Sequence, residues 1–192
     1  IALDGDWSAV PGIIGYLGNH DLSWGWTDVD PRTLLGNTSI SDTVVANQSD
    51  PAALPDGGVA EFDGIANPVV ALRGSFHADA PYLQLFLNTT GFQTIVVSFN
   101  LRDIDASSRN SVQRFILQYR IGALGWWTNL EGTYVPDAST GPGLATRVTP
   151  IHVTMPTACD NIRQLQLRVM TTNAAGNDEW IGVDDLSVTG TP

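Results

Sequence analysis

Short runs of alternating apolar and polar residues, separated by Gly, Pro, Asn and Asp, govern this chain from Val59 onward. Thr94 to Asp103 shows the pattern most clearly, with Ile95, Val97, Phe99 and Leu101 on one side. A period of two places such residues on a single face of a strand. Val112 to Ile121 behaves alike: Phe115, Leu117, Tyr119 and Ile121 oppose Val112, Arg114, Ile116, Gln118 and Arg120. Similar runs follow at Val69 to Gly74, Tyr82 to Asn88, Trp126 to Glu131, Arg147 to Thr154, Arg163 to Thr172 and Glu179 to Thr189. Together they predict about eight strands joined by short polar loops. No window carries sustained helical periodicity. The expectation is an all-β fold, an antiparallel two-sheet β-sandwich of jelly-roll type, formed as one domain over residues 1–192.

Residues 1–60 read differently from residues 61–190, which hold the main strands. Gly, Pro, Asn, Asp and Ser recur from Leu3 to Gly58, which predicts a long, irregular, loop-rich N-terminal part. A short strand or irregular segment is expected within Tyr16 to Trp26, and an exposed loop over Asn47 to Gly58.

Charged residues make up only 15% of the chain, and their balance is acidic, with a net charge of −11. Such a surface repels phosphate backbones and anionic membranes, which argues against nucleic-acid binding by this domain alone. No apolar run reaches the ~20 residues that span a bilayer, so membrane insertion is not expected. The single cysteine, Cys159, excludes an internal disulfide and has no local His partner, so it reads as passive. The chain opens at Ile1 without Met and ends just past a strand pattern. It reads as a piece of a longer polypeptide, secreted or at a cell surface, with neighbouring domains beside it.

Catalytic chemistry finds little footing. His20, His77 and His152 lie far apart, and neither H-E-x-x-H nor C-x-x-C occurs. Glu61, Glu131 and Glu179 form no alternating acidic strand. Asp103 and Asp105 share a face at a strand end, which allows a catalytic pair, calcium ligands or, most simply, a solvated turn. Nucleophile elbows and phosphate loops are absent. The expectation is no enzyme.

Two features point instead to binding. In Trp180-Ile-Gly-Val-Asp-Asp-Leu-Ser-Val188, Ile181 and Val183 share one parity while Leu186 and Val188 share the other. The apolar side switches at Asp184 and Asp185, which predicts a β-bulge there. Paired acids at such a switch are costly unless neutralised. A structural calcium held by Asp4, Asp6, Asp184 and Asp185 would neutralise them and tie the chain ends together. Asp63 and Asp178 are secondary candidates, and solvent at a sheet edge is the simpler alternative. The second feature is tryptophan: Trp24 and Trp26 in a loop-like region, and Trp126 beside Trp127. Flat aromatics stack on the apolar faces of sugar rings. Adjacent strand residues face opposite ways, so one of Trp126 and Trp127 should be core and the other outward. Trp24, Trp26 and Trp126 are the expected ligand-binding residues, with core or loop-anchoring roles as the competing reading.

The segments Val97-Ser-Phe-Asn-Leu-Arg-Asp-Ile-Asp105, Phe115-Ile-Leu-Gln-Tyr-Arg-Ile-Gly122 and Asn177-Asp-Glu-Trp-Ile-Gly-Val-Asp-Asp-Leu-Ser-Val188 resemble a jelly-roll module of large secreted bacterial proteins. Such modules accompany extracellular nuclease, phosphatase or lamin-tail-like domains. The closing strand is also similar to that of calcium-stabilised carbohydrate-binding and adhesin modules, which implies a calcium-ligand role for Asp184 or Asp185. The resemblance covers Val69 to Gly190 and carries no defined activity. The function expected is attachment to a glycan or cell-surface polymer. An accessory domain of an extracellular nuclease or phosphoesterase, and a structural spacer, are the alternatives. A glycan binder requires exposed tryptophans along a groove; an accessory domain requires an apolar contact patch without sugar affinity.

Overall fold

The computed structural model describes residues 4–18, 27–36, 45–108 and 110–192. Ten strands run through them: β1 Ile13–Tyr16, β2 Gly58–Phe62, β3 Val69–Arg73, β4 Tyr82–Leu87, β5 Gln93–Asp103, β6 Phe115–Ile121, β7 Thr128–Asn129, β8 Val148–Thr154, β9 Leu165–Thr171 and β10 Ile181–Thr191. Helix is confined to short 3-10 turns among the described residues. The front sheet has the order β1-β4-β9-β6-β7 and the back sheet β2-β3-β10-β5-β8. Adjacent strands pair antiparallel. Strands β3 to β10 alternate between the sheets, except that β6 and β7 form a hairpin in the front one, as two interlocked Greek keys, which is the jelly-roll connectivity. β1 and β2 extend each sheet by one edge strand.

The core follows from the alternation. Leu83, Leu85, Leu117, Leu165, Leu167 and Val169 point inward from the front sheet. Ile95, Val97, Phe99, Leu101, Ile181 and Val183 meet them from the back sheet. The bulge expected in the last strand is present. Asp184 stands opposite Asn100 and Ser187 opposite Ser98, so one extra residue enters β10. Asp185 absorbs it with a φ of 53°, after which Leu186 and Val188 again pack on the core. Cys159 is fully buried, and burial pushes its thiol up to about 11, consistent with a passive role.

The loop-rich N-terminal part is more than connection. Residues 28–36 lie across the outer face of the front sheet, where Leu34 packs on Tyr82, Ile116 and Met170. Trp127 N–H donates to the Leu35 carbonyl at 2.8 Å and Thr172 Oγ1 to the Val29 carbonyl at 2.7 Å. Residues 45–54 cover the outer face of the back sheet. Val45 bridges to Ala60, and Val45 and Leu54 pack on Ala60, Phe62, Val69, Ala71 and Trp180.

One side chain pins the front strap. Arg168 on β9 is completely buried. Its guanidinium donates to the Leu34 and Gly36 carbonyls and, at 2.6 Å, to Gln118 Oε1. It lies 4.4 Å from the Trp127 ring and 5.1 Å from the Tyr82 ring. Removing it takes a donor from the Leu34 and Gly36 carbonyls and from Gln118, and opens a void between the rings. Arg168→Ala is therefore expected to lower the unfolding free energy by about 2–4 kcal/mol in urea melts. It should also speed proteolysis within residues 28–36. A variant as stable and as protease-resistant as the parent would contradict this role.

Candidate functional site

Even-numbered residues of β4, β6 and β9 face outward from the front sheet, because their odd-numbered neighbours fill the core. Register then aligns them into rows. Phe86 stands opposite Gln166, and Gln166 opposite Arg120. The pairing of Tyr119 with Thr128 brings Trp127 beside Arg120, whose guanidinium lies 4.3 Å from the indole ring. This row crosses the sheet through three strand-to-strand steps, about 14 Å. The next row, Gln84, Arg168 and Gln118, disappears beneath the strap.

Hydrogen bonds fix the floor. Gln166 Oε1 accepts from Gln84 Nε2 at 2.9 Å and from Arg120 Nε at 2.7 Å. That acceptor is doubly used, so the Gln166 amide presents only its Nε2 donors, which make no hydrogen bond among the described residues. Gln84 and Gln166 are buried, whereas the flanking aromatics are not: Phe86 is 40% exposed and Trp126 78%. A cleft of about 290 Å³ opens here, with Phe86, Gln166, Ala123, Arg163 and Gln164 among its lining residues. Its wall is the turn between β6 and β7, where Gly122 and Gly125 adopt φ of 83° and 112°. Just past that turn, outside the cleft lining, Trp126 stands beside Gly36. The arrangement is a polar, donor-bearing floor beside the aromatic ring of Phe86.

Of the tryptophans expected to bind ligand, Trp126 is outward and Trp24 and Trp26 lie outside the described residues, as does His20. Trp127 is buried, but against arginines of the front face rather than inside the sandwich. The four expected calcium ligands are engaged separately. Asp4 Oδ1 accepts from the Ala46 N–H at 2.6 Å, and Asp6 Oδ1 from the Ser8 N–H at 2.9 Å. Asp184 pairs with Arg102 at 2.9 Å and also accepts from Asn67, while Asp185 accepts from Asn100. Arg102 thus supplies positive charge at the bulge. Among the described residues no group of three or more His, Cys, Asp and Glu is gathered as a metal ligand set. Asp63, His77 and His152 are exposed.

Asp103 and Asp105 do not form a solvated turn. Both are buried, satisfied by backbone: Asp103 Oδ2 accepts from the Thr140 N–H at 2.6 Å, and Asp105 Oδ1 from the Ser107 N–H at 3.0 Å. Glu179 is buried near them. Desolvation first, then the charges of Asp103 and Asp105, push its carboxyl up to about 8. Desolvation raises neighbouring Asp178 to about 6.

The residues of the groove were only partly legible. Outward parity marked Gln118 and Arg120, but nothing in the chain showed that Phe86, Gln166 and Arg120 share a row.

No protein-family model matches the chain, and a comparison with curated proteins finds no match. Distant likenesses exist among solved structures. The carbohydrate-binding module TmCBM61, in complex with β-1,4-galactotriose, is 11% identical over 65% of this chain and 71% of its own, with a TM-score of 0.40. CBM28, a carbohydrate-binding module specific for non-crystalline cellulose, is 18% identical over 76% of this chain and 98% of its own, with a TM-score of 0.45. A third, from work on carbohydrate-binding modules of the β-sandwich superfamily, is 11% identical over 79% of this chain and 65% of its own, with a TM-score of 0.40.

The buried acids generate a pH dependence. Glu179 and Asp178 hold protons in the folded state that an unfolded chain releases near pH 4–4.5. The unfolded state therefore binds fewer protons across this window, and stability falls as pH rises from about 4.5 to about 8. Melting temperature should be higher at pH 5 than at pH 8.5, and Glu179→Gln should flatten the decline. An unchanged slope in that variant would refute the assignment.

Proposed function

We propose that this chain is a non-catalytic module that binds a neutral glycan across the outer face of its front sheet. The observation that carries the reading is the row of Phe86, Gln166 and Arg120, ending at Trp127, with the exposed Trp126 next to it in the chain. Sugar rings offer apolar faces to aromatic walls and hydroxyls to polar floors. Amide and guanidinium donors serve such hydroxyls without transferring protons. Hydrogen bonds among Gln84, Gln166 and Arg120 hold the floor in place before a ligand arrives, which lowers the ordering cost of binding. Attachment to a glycan-bearing surface outside a cell is the role this chemistry serves.

A glycan array identifies a ligand, and calorimetry with that glycan tests the site. Trp126→Ala should weaken binding roughly tenfold, the equivalent of about 1–1.5 kcal/mol for a lost aromatic contact. Its melting temperature should be unchanged, because the ring is 78% exposed. Gln166→Ala should weaken binding further by removing the floor donor. If no glycan binds, or if both variants bind as well as the parent, the reading fails. In that event the exposed Leu124 and Trp126 become an apolar contact for a neighbouring domain, as an accessory module requires.

A structural calcium on Asp4, Asp6, Asp184 and Asp185 is a separate proposal, supported by the acidic charge and the pairing of acids at the bulge. Melts with calcium and with chelator test it. A rise of several degrees that Asp184→Asn abolishes supports a site. Identical melts end the proposal.

A further inference from the structure

We infer that the opposite end of the sandwich carries a second binding site, built around Arg73 and Asp178, for the hydroxyl-rich end of a neutral saccharide. Two clefts meet there, of about 460 Å³ and about 390 Å³, and Pro55, Arg73, Asn177 and Asp178 line both. Asp105 belongs to the first cleft and Phe76 to the second.

The polar groups are oriented in advance. Arg73 Nη1 donates to the Leu54 carbonyl at 2.7 Å, which fixes the guanidinium. Its Nε–H is buried and meets no acceptor among the described residues. An unpaired buried donor is costly and gains most from an incoming acceptor. Asp178 Oδ1 accepts from the Ala174 N–H at 2.7 Å, which sets the angle of its carboxylate. Phe76 adds an apolar wall: it is 60% exposed and meets the His77 ring edge-on at 5.2 Å. Gly74 makes the junction possible. A Cβ there would lie 2.4 Å from Asn173 Cα and 2.5 Å from Asp178 Oδ1, so β3 and the loop before β10 approach as closely as backbones can.

The charges select the ligand. Asp56, Asp105 and Asp178 line these clefts against a single guanidinium, so a phosphate or carboxylate is repelled. Arg73 in the shared wall opposes a cation. A hydroxyl both donates and accepts, and so serves the Arg73 guanidinium and a carboxylate oxygen together. A ring bearing adjacent hydroxyls and a C–H face toward Phe76 meets every group named.

This site is independent of the front groove. Gln166 lies near the start of β9 and Asn173 just past its end, about 23 Å apart along an extended chain. One monosaccharide cannot touch both. A longer chain could place its end in the loop cleft while other chains lie across the sheet.

The test is an amide NMR titration of the full chain with glucose, galactose and mannose in turn, and with inorganic phosphate as the anionic control. The expected result is saturable shifts at Gly74, Ser75, Asn177 and Asp178 with at least one sugar and none with phosphate. Arg73→Met should reduce that affinity at least tenfold. Phe76→Ala, at an exposed position, should reduce it several-fold without altering the fold. Trp126→Ala should leave these shifts intact, which separates failure here from failure of the front groove. No saturable shift with any of the three sugars, or shifts with phosphate instead, would overturn the inference.

Discussion

Arg168 carries a charge into a place where no carboxylate among the described residues pairs with it. Its guanidinium sits between the Trp127 and Tyr82 rings and donates to two carbonyls of the N-terminal strap and to Gln118. Burial works against that charge and draws its proton affinity down to about 9. Aromatic faces and carbonyl dipoles offset the cost where an ion pair would ordinarily do so. The arrangement is directional. It requires the strap to run where its carbonyls face β9, the β6–β7 turn to deliver Trp127, and Gln118 to turn toward Arg168. Gln118 then donates to Asn129 and Pro31, so β7 and the strap are held through the same network.

This network divides the front face. Beneath the strap, outward residues such as Ile116, Met170 and Tyr82 behave as a second core. Beyond it, the same strands carry Phe86, Gln166 and Arg120, which remain polar or open. A bare sheet face would expose a broad apolar and aromatic surface. A fully strapped one would expose nothing to a ligand. The groove lies beyond the described part of the strap, whose residue Gly36 has Trp126 beside it.

Much of this architecture was written in the local pattern. Period-two alternation located eight of the ten strands, and the parity switch at Asp184 and Asp185 located the bulge. Of the adjacent tryptophans, Trp126 is exposed and Trp127 buried, but Trp127 packs on arginines of the front face and not in the core. What stayed hidden depended on distant partners. Ile13–Tyr16 is a short strand in which only a glycine fits at position 15, because Trp7 and Val59 crowd it from elsewhere. Asp103 and Asp105 looked solvated because a strand end normally is. Backbone from residues 107 and 140 encloses them instead. The groove row was invisible for a related reason: parity tells which way Gln166 points, whereas register, set by whole-sheet packing, tells what stands next to it.

The two ends of β9 therefore differ in kind. At the start, hydrogen bonds converge on one amide oxygen, and the residual donors are neutral or belong to arginine. At the far end, carboxylates gather around the loops, and burial holds Glu179 protonated near neutrality. A single long strand joins a donor-rich surface to an acceptor-rich one. On the proposed readings, hydroxyl groups suit both ends, because a hydroxyl completes either set by rotating its hydrogen. Phosphates would meet the acidic loops unfavourably, and ammonium groups would meet Arg120 and Arg163 at the groove. On the readings proposed above, the charge distribution, and not the net charge alone, favours neutral polyols over ions.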